Sequence, residues 1–475
     1  MKKRIKAITL LVASLSLSSC DKYLDQTSLP IGVIPAESLY QSDKLVASVV
    51  NGIFISTTTS GSFSGPTIGD LVLLSGMYTD ELRNLVSGNN FDMFYKNGIR
   101  PENSPFWAEY YAKIYMANAA LEGIQSTSAT LKFKDQWLGE CYFMRAFFYY
   151  HLVNFYGAVP LALTSDFNVN NRLTRSSEEM VYQQIIADLK QAKQLLSSSY
   201  KDGSGNNSSK RVRPNRAAAT ALLARAYLYA GLWEEAEKEA TEVIQDANYA
   251  LEPLNKVFLT DSKETVWAFA NGEAKTNSYF KAFNNGMPDI LTGNQTPGNF
   301  NIFGVMTDPL LDAFEPGDER KKTWVRTVKA EASATRPETT YYLPNKYNSP
   351  ANDAELTVPL RLAEQYLIRA EARAHLKKST AWDDLKVVRT RAGLNLSQNA
   401  DDIFATIAHE RRVEFFTEGG HRFFDLKRTK QIDQIMEEVA PLKQATWESY
   451  KAYWPIPQVD LFQNPNLTPN PGYGQ

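Results

Sequence analysis

The chain has 475 residues, of which 43% are hydrophobic and 22% charged, and its formal net charge is −2 at pH 7. A chain of this length forms one large domain or two closely packed domains. The slightly acidic balance, with no basic stripe along the sequence, excludes a nucleic-acid-binding protein.

The first twenty residues have the pattern of a bacterial export signal. Four basic side chains lie within residues 1–6, and residues 7–17 form an uncharged, largely apolar stretch that is too short to cross a bilayer as a stable helix. Two serines then lead into Cys20, as in the lipobox at which bacterial lipoproteins are lipidated and cleaved. We predict that residues 1–19 are a cleaved signal peptide and that a lipid on Cys20 anchors the protein without spanning the membrane. The alternative is an ordinary secreted protein that happens to begin with a cysteine.

Cleavage after residue 19 would leave a clearly acidic protein with one thiol. It removes four positive charges and no negative one, so the net charge moves from −2 to −6 over the remaining 456 residues. With Cys20 lipidated, only Cys141 remains, so no internal disulfide is expected. Cys141 lies among aromatic residues and is predicted to be a small core side chain. The uncharged stretch 45–69 is interrupted by polar residues, glycine and proline, which indicates a short helix and a loop and excludes a membrane span.

Helical periodicity dominates the middle of the chain. Apolar residues from Val181 to Leu196 recur at spacings of four, four, three and four, which predicts one amphipathic helix. Ser176 and Glu179 form a capping box at its start.

The clearest structural unit is residues 216–250. Small apolar residues line two helices, Gly231 permits a tight turn between them, and Trp233 follows the turn. This is the design of a tetratricopeptide repeat, in which small side chains let the helices approach closely. Further helices of the same array are predicted in three other stretches, at residues 106–125, 134–156 and 362–394.

Long irregular segments lie between these helices. Residues 201–215 are rich in glycine, serine and asparagine, and residues 251–360 are rich in asparagine, glycine, proline and aromatic residues, with no helix expected beyond a few turns. Loops of this length inside a compact domain are usually functional. The five prolines within residues 453–473 exclude a helix there and favour an extended chain along the surface.

A series of short motifs runs through the chain from Cys20 to Tyr473. In order they are CDKYLD from Cys20, RAFFYY from Arg145, YGAVP from Tyr156, LIRAEA from Leu367, ERRVEF from Glu410, EGGHRFFDLKR from Glu418, WPIP from Trp454, NPNL from Asn464 and NPGY from Asn470. Together they resemble the SusD-like (RagB/SusD) lipoproteins of Bacteroidetes over nearly the whole mature chain. The sequence departs from the family pattern at Lys386, where asparagine is usual, and at Pro469, where glutamine is common. Both lie in scaffold motifs.

The resemblance implies a mostly α-helical fold in which tetratricopeptide-like helix pairs carry long irregular loops. An N-terminal region (20–250) and a loop-rich C-terminal region (251–475) are expected to pack as one globular unit. It also implies a nutrient-binding lipoprotein on the outer membrane, facing the cell exterior. Such proteins capture an oligosaccharide, or sometimes a peptide, and deliver it to a SusC-like TonB-dependent transporter. No cofactor is implied.

The sequence contains no complete catalytic motif. The segment that starts with His409 lacks the second histidine that a zincin motif requires four residues later, and no phosphate-binding loop or nucleophile elbow is present. The cluster that includes Glu410, Glu414 and Glu418 is therefore predicted to form ion pairs at helical spacing with nearby arginines. A glycoside hydrolase remains an alternative, because its two carboxylates can lie far apart in sequence. We predict no catalytic residue and no metal site.

The ligand is expected to bind where aromatic residues lie beside asparagine and arginine in the loops. Sugar rings have apolar faces that stack on flat side chains and hydroxyls that bond to amides and guanidinium groups, and a peptide would use the same residues. The alternative for each ring is that it folds back onto the core. The predicted ligand-binding residues are Arg83, Asn89, Asn90, Phe91, Phe94 and Tyr95 in a first segment, Tyr279, Phe280, Phe283, Asn284 and Asn285 in a second, and Trp324, Tyr341 and Tyr342 in a third.

Overall fold

The computed structural model describes residues 35–59, 61–63, 70–85, 87–272, 275–284, 304–330, 332, 337–395 and 402–474. The predicted signal peptide, the predicted lipidation site Cys20 and the predicted ligand residue Asn285 lie outside these residues.

Helices make up most of the regular structure. About 54% of the residues that the structure describes are helical, which confirms the predicted mostly α-helical class. The α-helices are α1 (Asp43–Thr59), α2 (Leu71–Tyr78), α3 (Asp92–Tyr95), α4 (Trp107–Ser126), α5 (Lys134–Tyr156), α6 (Phe167–Asn170), α7 (Glu178–Leu195), α8 (Arg216–Tyr229), α9 (Trp233–Gln245), α10 (Ser278–Asn284), α11 (Asp308–Leu311), α12 (Glu319–Trp324), α13 (Leu362–His375), α14 (Ala381–Arg391), α15 (Ile403–Phe415), α16 (His421–Arg428), α17 (Ile432–Val439) and α18 (Gln458–Gln463).

The strands form three small antiparallel pairs. They are β1 (Leu82–Arg83) with β3 (Val305–Met306), β2 (Thr265–Phe269) with β6 (Thr357–Arg361), and β4 (Val325–Ala330) with β5 (Thr339–Pro344). Five of these six strands lie in the stretch 251–360, for which an irregular structure is predicted, and the last of them ends one residue beyond it at Arg361. That prediction was incomplete, because each strand is too short to give a clear alternating pattern on its own.

The predicted helix pairs are present. Helices α8 and α9 form an antiparallel pair joined at Gly231, whose positive φ of 73° is a conformation that glycine adopts without strain. Helices α13 and α14 form the second predicted pair. The indole of Trp233, the residue after the first turn, stacks on the imidazole of His375 at 3.8 Å between ring centroids and thereby links the two pairs.

Two local predictions were wrong, one about the residue that caps α7 and one about the proline-rich C-terminal stretch. The cap of α7 is Ser177, not Ser176, and its hydroxyl accepts a hydrogen bond from the backbone NH of Met180. In the proline-rich C-terminal stretch, α18 forms between Pro457 and Pro465. Pro457 occupies the N-cap position, where the missing NH costs no hydrogen bond.

One cluster of buried apolar side chains extends from Val46 to Leu467 and includes residues from both sides of position 250. Cys141 lies inside it and is fully buried, as predicted. Buried ion pairs join distant helices across this core: Arg145 of the RAFFYY motif binds Asp188 at 2.6 Å, and Arg225 binds Glu364 at 2.6 Å. Buried charge pairs as well as apolar contacts thus connect these helices.

Candidate functional site

The three predicted ligand-binding segments meet on one face of the molecule. Strand β1 carries Arg83 and pairs with β3, with Arg83 opposite Val305, and β3 lies against β5. Helix α10 is joined to β4 by a hydrogen bond of 2.9 Å from the Arg326 guanidinium to the side-chain oxygen of Asn284. We call this surface the loop face and define it by members of the three segments that are not fully buried, which are Arg83, Asn89, Asn90, Tyr95, Phe280, Asn284, Arg326 and Tyr341.

In the first segment, a hydrogen-bonded turn presents polar groups. The amides of Asn84 and Asn89 bond to each other in both directions, at 2.8 and 3.2 Å, and the Asn89 oxygen also accepts from the backbone NH of Phe91. Asn89 therefore shapes the turn, while Asn90 and Arg83 are exposed. The Asp92 carboxylate accepts bonds from the Gly88 NH and the Lys96 ammonium at 2.8 and 2.9 Å. These bonds fix the turn before α3.

Tyr95 is the accessible ring of this segment. It is half-buried, with the Lys443 ammonium 5.4 Å from its ring centroid. Burial raises the pKa of the Tyr95 hydroxyl, and the nearby positive charge of Arg83 acts in the opposite direction. Tyr95 and Arg83 are therefore neighbours, with a cation beside the half-buried ring.

In the second segment, helical spacing separates the rings into two sets. Tyr279 and Phe283 lie four residues apart on the buried side of α10, and Tyr279 packs on Tyr347 at 5.4 Å between ring centroids. Phe280 and Asn284 lie on the adjoining side and are half-buried. The Asn284 amide is held at both ends, because it also donates to the Tyr347 carbonyl at 2.7 Å.

In the third segment, the strand pleat separates Tyr341 from Tyr342. Successive side chains of a strand point to opposite faces, and Tyr342 packs against the core while Tyr341 does not. Tyr341 pairs with Val328 and lies diagonally across the ribbon from Arg326 on the same face. Tyr341 and Arg326 therefore stand on the side of the ribbon to which Asn284 is bonded.

Five of the predicted ligand residues belong to the core. The Phe94 ring is 2% exposed and packs 5.9 Å from Trp454, and the Trp324 ring is 1% exposed with its indole NH donating to the Leu254 carbonyl at 2.9 Å. A side chain covered in this way has no face left for a ligand. These five predicted residues are therefore core residues and do not form part of the ligand surface: Phe91, Phe94, Tyr279, Phe283 and Trp324.

Arg326 was not predicted, although the sequence contained a signal for it. The segments 325–330 and 339–344 are rich in β-branched and aromatic residues, the composition of a strand pair. Pairing them in antiparallel register would have placed Arg326 beside Tyr341.

The glutamates of α15 form a buried ion-pair network. Arg320 contacts Glu410 and Glu414, at 2.5 and 2.9 Å, and Arg361 contacts Glu414 at 2.5 Å. Burial alone would raise the pKa of Glu414, but the charges of Arg391, Arg361 and Arg320 hold it well below its usual range. The glutamates do form ion pairs, but the prediction of pairs at helical spacing with Arg411, Arg412 and Arg422 was wrong, because the partners of the glutamates come from other elements.

Neither a metal cluster nor a membrane span is evident in the described part of the chain. Its histidine, cysteine and acidic side chains form no group of three that could hold a metal ion. None of the helices in the described ranges is both long and apolar enough to cross a bilayer.

A separate cleft of about 600 Å³ lies outside the loop face. Trp107 and Tyr111 line it, together with the exposed ring of Phe167. Trp107 and Tyr111 lie at helical spacing on α4; Trp107 is buried, and the Tyr111 hydroxyl donates to the Pro160 carbonyl at 2.7 Å. Aromatic rings thus border open space at this cleft as well as at the loop face.

Comparison with known families agrees with this architecture. A family model described as "SusD family" matches residues 164–473, and one described as "Starch-binding associating with outer membrane" matches residues 73–228. Since the first match covers more than half of the chain, the protein belongs to the SusD family.

Individual relatives extend over nearly the whole chain. SusD-like protein P2 from Formosa agariphila is 28% identical and covers 98% of this chain and 99% of its own length. SusD-like protein P38 from the same organism is 24% identical over 79% of this chain and 82% of its own.

Solved structures show the same fold at low identity. A SusD superfamily protein from Bacteroides vulgatus superposes with a TM-score of 0.75 at 21% identity, covering 90% of this chain and 99% of that one. A structure described as a laminarin-binding SusD-like protein superposes with a TM-score of 0.74 at 22% identity, covering 91% and 100%. The surface glycan-binding protein A from Bacteroides fluxus gives 0.73 at 19% identity, covering 90% and 99%.

Proposed function

We propose that this protein is a lipid-anchored, non-catalytic binding protein of the cell surface. It captures an oligosaccharide on the loop face and delivers it to a SusC-like TonB-dependent transporter in the outer membrane. The observation that carries the proposal is the meeting of three segments, from residues 83–95, 278–284 and 325–344, at one surface of half-buried rings and polar side chains.

The chemistry of the loop face suits a neutral sugar chain. The rings of Tyr95, Phe280 and Tyr341 are partly exposed, and flat side chains of this kind stack on the apolar faces of sugar rings. The Asn90 amide and the guanidinium groups of Arg83 and Arg326 supply hydrogen bonds for the hydroxyls. A guanidinium donates five hydrogen bonds in a fixed plane, so it orients a sugar as well as attracting it.

Relatives support a glycan as the ligand class. Two of the solved structures with this fold are described by their names as laminarin-binding and surface glycan-binding. The family description that matches residues 73–228 names starch binding and the outer membrane. Membrane attachment through Cys20 and delivery to a transporter follow from the family resemblance and stay part of the proposal.

The non-catalytic proposal rests on the catalytic motifs missing from the sequence, and the buried glutamate at the centre of the α15 network supplies no general acid. General acid catalysis needs a carboxyl group that keeps its proton near neutral pH. Glu414 is instead held ionised by three arginines and is fully buried, so it neither donates a proton nor reaches a substrate.

The ligand class is tested by calorimetric titration of the purified protein. Neutral oligosaccharides are expected to bind with dissociation constants of about micromolar or weaker, since a carrier must release its cargo. Mixed oligopeptides are expected not to bind, and chromatography after incubation is expected to show uncleaved sugar. If peptides bind and sugars do not, the ligand is a peptide and the proposed ligand class is wrong. Cleavage of sugar that co-purifies with the protein would contradict the non-catalytic proposal.

The transporter partner requires a separate experiment. A tagged copy extracted from outer membranes in mild detergent is expected to co-purify with a TonB-dependent barrel protein. Recovery of the tagged protein without any barrel would contradict delivery to a transporter and leave glycan binding unaffected.

A further inference from the structure

The cleft outside the loop face lies between helix α4, the segment 160–173 and helix α18, and we call it the α4 cleft. Its volume is about 600 Å³, and no residue of the loop face lines it. Pockets for small molecules typically measure about 300–1,000 Å³. The α4 cleft is therefore large enough to hold a ligand of its own.

Hydrogen bonds between the three elements fix the shape of the α4 cleft. The Tyr111 hydroxyl of α4 donates to the Pro160 carbonyl at 2.7 Å. The side-chain amide of Asn464, the residue that follows α18, donates to the Leu173 carbonyl at 2.8 Å. Each wall is thus tied to the next, and the cleft is formed before any ligand arrives, as is usual for small-molecule sites.

The Phe167 ring is the accessible flat surface of the α4 cleft. It lines the cleft and is 72% exposed. The chain just before it is held in place, because the Glu122 carboxylate accepts a hydrogen bond of 2.9 Å from the backbone NH of Ser165. The half-buried ring of Tyr111 borders the same space. A sugar ring that enters the cleft therefore meets an exposed ring on which its apolar face can stack.

Accessible amide groups line the same cleft from two different walls. Asn171 belongs to the segment 160–173 and is half-buried, and Gln463 belongs to α18 and is exposed. Neither side chain forms a hydrogen bond with another residue of the described ranges. A side-chain amide both donates and accepts hydrogen bonds, as a sugar hydroxyl does. The two amides are therefore available to a ligand that carries hydroxyl groups.

Asp460 determines the charge of the α4 cleft. Among the described residues of the lining, it alone is charged at pH 7. It is half-buried, and burial raises the pKa of its carboxyl group, so this carboxylate gains from donors that replace lost water. A lining without a cation disfavours an anionic ligand. An organic cation would pair with Asp460 but offer nothing to the amides, whereas sugar hydroxyls bond to both.

We propose that the α4 cleft is a second binding site for neutral sugar, separate from the loop face. A sugar ring stacks on Phe167, and its hydroxyls bond to Asp460 and to the amides of Asn171 and Gln463. The inference rests on the glycan class of the proposed function but not on the loop face. Because one exposed ring holds the sugar, this site is the weaker of the two, with a dissociation constant of about millimolar.

Two exposed phenylalanines provide a matched pair for the test. Phe167→Ala removes the stacking ring, while Phe462→Ala removes a ring that is 78% exposed on α18 but does not line the cleft. Both changes are made in Tyr341→Ala protein, in which the loop face is impaired. The probes are maltohexaose and laminarihexaose, neutral fragments of the two glucans that descriptions of relatives name.

Calorimetry and ligand-observed NMR measure the affinity of each variant for the two probes. Phe167→Ala is expected to weaken the remaining sugar binding at least about tenfold, and Phe462→Ala is expected to leave it unchanged. Neither change should shift the melting temperature, because both rings are exposed. Equal sugar affinity in the two variants would overturn the second site. Binding of tetramethylammonium without either sugar would make the cleft a cation site and would also overturn it.

A spin label shows directly which site holds the sugar. Arg172→Cys places the label at an exposed position beside the α4 cleft, and Thr340→Cys places it at an exposed position of β5 at the loop face. Both are made in Cys20→Ala protein, whose other thiol, Cys141, is buried and does not react. The NMR signals of the sugar are expected to broaden with the label at either position.

The labels separate failure of the second site from failure of the proposed function. Broadening from Thr340→Cys alone would overturn the second site and leave the loop face in place. Broadening from Arg172→Cys alone would contradict the loop face and support the α4 cleft. Wild-type protein that binds neither probe would contradict both sites.

Discussion

The Arg326 guanidinium donates a hydrogen bond of 2.9 Å to the side-chain oxygen of Asn284, across 42 residues of sequence. The same Asn284 amide donates to the Tyr347 carbonyl at 2.7 Å. An amide fixed at both ends cannot rotate freely, so α10 is held in one orientation against the β4–β5 ribbon. This bond brings Phe280 of the helix and Tyr341 of the ribbon onto a common surface.

Phe280 and Phe283 provide a matched pair for testing which rings form the site. Phe283 is 3% exposed, so Phe283→Ala is expected to reduce the free energy of unfolding by about 3–5 kcal/mol through the cavity it leaves. Phe280 is half-buried, so Phe280→Ala is expected to destabilise the protein much less while weakening oligosaccharide binding about tenfold. Denaturant unfolding and calorimetry measure the two effects. Equal destabilisation by both changes would place Phe280 in the core and remove it from the site.

The scaffold could be predicted well because its signals are local. Helix α5 spans Lys134–Tyr156, the predicted stretch, since an uninterrupted run of helix-compatible residues ends at Gly157. Helices α8 and α9 follow from small residues at helical spacing around Gly231. The short strands β4 and β5 were missed because each is stabilised by the other, and neither has a periodic signal long enough to recognise alone.

The site could be predicted only in part. Phe94 and Tyr95, and likewise Phe280 and Phe283, are predicted together as ligand residues because they are close in sequence. In the structure one member of each pair is buried and the other is half-exposed. Which side of a short helix faces the core depends on contacts from distant elements, such as Trp454 against Phe94. A single sequence does not contain that information in local form.

The buried carboxyl group of Asp70 is expected to make the free energy of unfolding depend on pH. Its carboxyl group caps α2, with one oxygen accepting from the Leu73 NH at 2.9 Å and the other without a partner within the described structure. Burial raises the pKa of Asp70 to about 8, above the value of about 3.9 for an unfolded aspartate. The folded state therefore binds the proton more tightly, and the wild type loses stability from this group as the pH rises from about 4 to 8.

Asp70→Asn keeps the capping oxygen and removes the titration. The variant is expected to exceed the melting temperature of the wild type by a clearly larger margin at pH 9 than at pH 5. Asp402→Asn is the control, because Asp402 caps α15 in an exposed position and its replacement should have the same effect at both pH values. An Asp70→Asn effect that does not change with pH would show that the carboxyl group is not desolvated in the folded protein.

Glu414 is expected to make the free energy of unfolding depend on pH in the opposite direction. The charges of Arg391, Arg361 and Arg320 hold its pKa well below the unfolded value of about 4.3 despite burial. Its contribution to stability is therefore present above about pH 4.3 and is lost as the pH falls. Glu414→Gln leaves buried arginines without a counter-charge, and it is expected to reduce the free energy of unfolding at pH 7 by about 3–5 kcal/mol.

An exposed ion pair serves as the control for Glu414. Glu319→Gln breaks a surface ion pair with Lys322. It is expected to reduce the free energy of unfolding by at most about 1 kcal/mol. Denaturant unfolding at pH 7 and pH 4 compares the two variants. If Glu414→Gln were as mild as Glu319→Gln, the network of α15 would not hold the fold together.

The lipid anchor is tested by Cys20→Ala. The variant is expected to leave the membrane fraction and appear as a soluble, folded protein, because the thiol is the acceptor of the lipid. Cell fractionation with metabolic palmitate labelling measures the change, and Cys141→Ala serves as the control at the buried cysteine. Palmitate incorporation into Cys20→Ala at the wild-type level would contradict the predicted anchor.

Binding by Tyr341→Ala tests the account most directly, since the central claim is that the loop face binds an oligosaccharide. Tyr341 is partly exposed on the ribbon and lies outside the core cluster, so its removal should leave the melting temperature nearly unchanged. Tyr115→Ala is the matched control, because Tyr115 is 55% exposed on α4 and is not part of the loop face. The measurement is calorimetry with a neutral oligosaccharide that binds the wild type. We expect the affinity of Tyr341→Ala for this sugar to be at least about tenfold weaker. The affinity of Tyr115→Ala is expected to be unchanged. Wild-type affinity in a normally folded Tyr341→Ala protein would contradict the loop face as the binding site.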